Sequence, residues 1–185
     1  REGGICPPVE ARPAQVDVPI ALQSFDRIPV AKGSSEAGPD SVMLGYSKGS
    51  YVLQMLEWLI GPEKMTTCIQ KFLGSQPPGT LAEWPDFEAA VNEVTGTSYQ
   101  WFFDQWLRRA GVPNCKLRDS RWEAGKFTVH VDWVGPTYRL PVDAWIKFAD
   151  GSETTVRTVI SGSSVVIPLA KRPKIVQFDP RRRIL

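Results

Sequence analysis

Between Val52 and Ile60 the apolar residues Val52, Leu53, Leu56, Leu59 and Ile60 recur at helical spacing, with Gln54 and Glu57 on the opposite side. The pattern predicts a core helix within Gly45–Gly61. Gly61-Pro62 ends it, because glycine suits a left-handed cap and proline cannot continue the hydrogen-bond ladder. Its first turn then holds Gly45, Tyr46 and Gly49. A second helix is expected over Glu63–Leu73, with Met65, Ile69, Phe72 and Leu73 forming its stripe. A third runs Pro85–Thr95 on Phe87, Val91 and Val94, with proline at a tolerated first-turn position. A fourth is capped by Thr97 or Ser98 and carries Trp101, Phe102, Gln105, Trp106 and Arg109. The aromatics Tyr99, Trp101, Phe102, Phe103 and Trp106 could form a stacking platform, but at this spacing they read as core.

From Asn114 the period changes from helical to alternating. Phe127, Val129, Val131 and Trp133 alternate with Thr128, His130 and Asp132, and Leu140, Val142, Ala144, Ile146 and Phe148 repeat the pattern. Turn signals at Glu123-Ala124-Gly125, Gly135-Pro136, Asp150-Gly151, Ser161-Gly162 and Asp179-Pro180 punctuate about six or seven short strands. Asp150-Gly151 is the sharpest hairpin signal. The fold class expected is α+β: a small helical bundle of about four helices followed by an antiparallel immunoglobulin-like β-sandwich. The expected divisions are a proline-rich extended segment over 1–40, a helical part over 41–112 and a β domain over 113–185. Within the first, Val16, Val18, Ile20, Leu22, Phe25 and Ile28 suggest that part of it lies against a surface.

The chain has 185 residues, 42% hydrophobic and 23% charged, which is ordinary for a folded domain. Its net charge of +2 gives no argument for nucleic acid. No apolar run approaches the ~20 residues of a membrane helix, and no signal-peptide pattern opens the chain. Compartment is not readable. Cys6, Cys68 and Cys115 lack metal-site spacing and read as free thiols, with one disulfide plus a spare cysteine as the other arrangement. His130 is the one histidine; on the polar side of a strand it reads as a surface imidazole, since zinc needs several ligands. Ser47 and Ser50 lack a base partner. Lys48 reads as solvated, without chemistry, and Gly49 as a site of close helix packing. Arg181-Arg182-Arg183 could meet an acidic partner but read as solvated charge near a terminus.

Three blocks carry a resemblance: Tyr46-Ser-Lys-Gly49 with Val52-Leu53, Met55-Leu56 and Ile60-Gly61; then Asp86-Phe87; then Phe102-Phe-Asp-Gln-Trp-Leu107 closing on Gly111-Val112-Pro113. In this order they resemble the later helices of zinc aminopeptidases of the aminopeptidase N type, from about Val42 to Leu185. The resemblance implies a peptide substrate, a zinc ion held by an upstream HExxH helix and a further glutamate, and a Tyr46 whose phenol donates to the oxyanion formed at the peptide carbonyl. This chain contains neither HExxH nor the Gly-x-Met-x-Asn segment that holds a substrate's amino end. It opens on Arg1 and is expected to be the C-terminal part of a longer peptidase, inactive and without zinc by itself, with its partner the missing upstream catalytic region. Phe178-Asp179-Pro180 matches the end of the family's sandwich, so the arginines could mark a linker to a further domain. Two other readings stand beside it: a non-catalytic protein-interaction module, such as a pseudo-peptidase or β-sandwich binding domain, and a separate subunit completing a catalytic chain in trans.

Overall fold

The computed structural model describes residues 10–12 and 39–184. The expected behaviour of most of the 1–40 segment, and Cys6, lie outside the described residues. The helices belong to a unit spanning Val18–Val112. The strands belong to a unit made of Arg1–Asp17 and Pro113–Leu185.

In the helical unit, α1 runs Pro39–Ile60, α2 Pro62–Gly74, α3 Trp84–Thr95 and α4 Gln100–Phe103, which continues as a π-helical turn over Asp104–Arg108. Val52, Met55, Leu56 and Ile60 of α1 are buried, so the apolar spacing does find the core. Gly61 at φ 90° separates α1 from α2, a backbone state that side-chain-bearing residues rarely adopt. A reciprocal capping box between Glu83 and Asp86 starts α3, and Gly96 at φ 66° ends it. α4 departs from expectation. Tyr99 takes the N-cap position, its N–H held at 2.8 Å by the Asn92 side-chain oxygen, while the Ser98 hydroxyl one residue earlier accepts from the first helical N–H, that of Gln100, at 3.4 Å.

The aromatic residues form the centre of this unit. Phe72 meets Phe87 edge-on at 5.5 Å, Phe87 meets Phe103 at 6.3 Å, and Phe102 meets Phe103 at 5.7 Å and Trp106 at 6.4 Å. Phe102, Phe103 and Trp106 are fully buried, while Tyr99 and Trp101 are half-buried. Phe102, Phe103 and Trp106 are core, and the phenylalanine pairs take the edge-to-face geometry that ring quadrupoles favour.

The β unit holds two sheets. One has the order β1-β7-β4-β5 and the other β2-β3-β6, with β1 Glu10–Arg12, β2 Cys115–Glu123, β3 Lys126–Trp133, β4 Leu140–Phe148, β5 Glu153–Ile160, β6 Ser164–Pro168 and β7 Pro173–Phe178. All neighbours are antiparallel except β1, which adds to β7 in parallel and draws a piece of the N-terminal segment into the sheet. Phe127, Val129 and Val131 of one sheet and Leu140, Val142, Ala144 and Ile146 of the other are buried, as period-two alternation requires of strands with one covered face. Ala124 and Gly125, at φ 49° and 78°, make the two-residue turn joining β2 to β3. Asp150-Gly151 does turn β4 into β5: the Gly151 N–H donates to Phe148 O at 3.1 Å, and the Asp150 carboxylate accepts from Ser152 N at 3.0 Å.

Candidate functional site

Tyr46 lies inside α1, not in its first turn. The helix begins seven residues earlier, at Pro39, whose fixed φ suits a helix start. Gly45 and Gly49 are therefore interior to a helix, where each costs about 1 kcal/mol relative to alanine. Close packing does not account for Gly49: among the described residues nothing lies within 4 Å of a Cβ placed there.

Lys48 overturns its expected solvation. It is 1% exposed, and its Nζ donates to the Gly111 carbonyl at 3.0 Å. The methylene stem can be buried at little cost, but an ammonium taken from water must have acceptors, and this carbonyl is one. Gly111 presents it from a backbone at φ 105°. The bond joins the Tyr46-x-Lys48-Gly49 block to the Gly111-Val112-Pro113 block, just as the Phe87–Phe103 ring contact joins Asp86-Phe87 to the aromatic block. The three separated blocks are thus a physical network within one unit. Hydropathy could not reveal Lys48, because a lysine at helical spacing reads as surface.

Beside this network, an apolar groove of about 630 Å³ is lined by Leu53, Phe72, Trp84, Phe87 and Leu107, with Arg108 at its border. Arg108 pairs with Glu88 and, at 2.8 Å, with Asp104. The hydrogen bond to Glu88, then that to Asp104, raises the guanidinium's already high pKa, so this charge is fixed.

No group of three or more His, Cys, Asp or Glu among the described residues could hold a metal ion. His130 pairs with Asp119 on the neighbouring strand and is part-exposed. That bond lowers the Asp119 pKa. A single imidazole so engaged does not fit a zinc ligand set. Cys68 and Cys115 are free thiols, and burial pushes both pKa values up, away from the thiolate that nucleophilic attack needs. Among the described residues no helix is long and apolar enough to cross a membrane.

No protein-family model matches the chain. Its sequence is similar to aminopeptidase A of Gloydius brevicauda, 35% identical over 74 residues, covering 40% of this chain and 8% of that protein. It is also similar to aminopeptidase N of Haemonchus contortus, 29% identical over 151 residues, covering 71% of this chain and 15% of that protein. The chain therefore spans a small part of the relatives it matches. Among solved structures, aminopeptidase A of Legionella pneumophila, determined in complex with aspartic acid, shares the fold at a TM-score of 0.57 and 15% identity, over 82% of this chain and 19% of that one. Motif order, sequence relatives and fold agree in direction: the chain is similar to a part of aminopeptidases of the A and N type.

Proposed function

We propose that this chain is the C-terminal part of a zinc-dependent, aminopeptidase-like metallopeptidase, in which the helical part over 41–112 supplies Tyr46 to the active-site wall and 113–185 forms an immunoglobulin-like sandwich. The observation that carries the reading is the sequence match to an aminopeptidase N over 71% of the chain, reinforced by the contacts that tie the shared blocks together. Tyr46 is the residue assigned to chemistry. As a peptide carbonyl is attacked, its oxygen takes on negative charge, and a phenolic O–H held in place donates to that charge more strongly in the transition state than in the ground state. One such donor contributes about 3–4 kcal/mol.

The described residues do not fit a zinc site, so the metal's ligands would come from elsewhere in the polypeptide, and the 185-residue chain alone is inactive. Incubating the purified chain with zinc and aminoacyl-anilide substrates tests this, with no turnover expected. Robust, chelator-sensitive hydrolysis would show that the chain holds a complete site and would remove the division of labour proposed here.

A further inference from the structure

A second candidate site lies on the β unit, away from any residue used above. On the outer face of the four-stranded sheet, Asp143 sits across from Arg157, and Trp145 is flanked by Thr155 on one side and Gln177 on the other. Together with Arg181 and Arg183 these side chains line a cleft of about 540 Å³. The arginines are not a loose tail. The Asp179 N–H donates to the Asp143 carbonyl at 2.8 Å, tying the turn to β4. The Asp179 carboxylate accepts from the N–H groups of Arg183 at 2.8 Å and Ile184 at 3.1 Å, and Ile184 is buried. Among the described residues no carboxylate pairs with Arg181 or Arg183. Arg157 Nε stands 3.9 Å from the Asp143 carboxylate.

Three guanidinium groups line one cleft together with a single carboxylate and a half-buried indole, a composition suited to separated single negative charges. We propose that this cleft binds an acidic peptide segment, with Arg157, Arg181 and Arg183 taking carboxylates and Trp145 packing against the intervening chain. Guanidinium groups match carboxylate geometry in two-point fashion, and a rim whose backbone Asp179 already holds has less freedom to lose on binding. Asp143 argues against a dense polyanion, because closely spaced phosphates would crowd its carboxylate, whereas glutamates along a peptide can straddle it.

Fluorescence anisotropy of labelled octaglutamate titrated with the 185-residue chain tests the proposal. Saturable binding is expected. It should weaken by about tenfold or more in Arg181→Glu/Arg183→Glu, since charge-assisted pairs become like-charge contacts. The control Lys116→Glu/Lys126→Glu makes the same charge change on β2 and β3 and should leave affinity unchanged; thermal melts verify that both variants fold. Arg157→Gln, which removes one guanidinium charge and keeps a polar side chain, should also weaken binding. The proposal is overturned if octaglutamate does not bind, if both double variants weaken it equally, or if a single-stranded oligonucleotide or phosphatidylserine vesicles bind the same arginines more tightly.

Discussion

A buried ammonium survives folding only where acceptors replace its water. Lys48 reaches the Gly111 carbonyl for this purpose, and in doing so it holds the helix carrying Tyr46 to the end of the helical unit. Lys48→Met keeps the stem but strips that carbonyl of a donor, so it should destabilise the chain by about 1–3 kcal/mol. Urea unfolding checks this, and an unchanged midpoint would show that the bond contributes nothing. At the surface, Asp150 supplies a pH-dependent effect. Its hydrogen bond from Lys171, at 2.6 Å, and then those from Ser152 hold the carboxyl below the usual range. A depressed folded pKa adds stability above the unfolded carboxylate pKa of about 4, and that stability is lost as pH falls through the folded value. Asp150→Asn should therefore melt lower than the parent at pH 7, and the gap should close in acid. A gap independent of pH would mean that the turn geometry, not the charge, matters.

At the scale of elements, periodicity was informative wherever one face meets the core. The buried residues of α1 and the alternation of β3 and β4 were legible because helix and strand expose side chains with different periods. The first turns of α1 were not, because Gly45 and Gly49 lower helical propensity and Val42-Met43-Leu44 is a continuous apolar run without a stripe. β1 was hidden because its partner β7 lies at the other end of the chain. The π-helical turn leaves no periodic signal, yet it places Gln105, Trp106 and Leu107 all in the interior. Trp106→Ala, which empties the centre of the aromatic cluster, should cost about 3–5 kcal/mol. A stable variant with an unaltered denaturation curve would contradict the cluster's role as core.

Across the whole chain, the three sequence blocks that carry the aminopeptidase resemblance gain a physical meaning: they are one network of contacts, held by Lys48 and by the Phe87–Phe103 pair. The candidate chemistry was only partly legible. Tyr46 stood out by its place in a motif, whereas the arginine rim could not be read as ordered, since the Asp179 bonds that fix it are made only once Ile184 is buried. The account rests most heavily on Tyr46 as the donor to the developing oxyanion. The most direct test is hydrolysis of aminoacyl-anilides by the native polypeptide before and after Tyr46→Phe. Removing one oxyanion donor should lower kcat by about 10²–10³ with KM little changed. An undiminished kcat, or a native polypeptide with no aminopeptidase activity, would contradict it and return the chain to the reading of a non-catalytic interaction module.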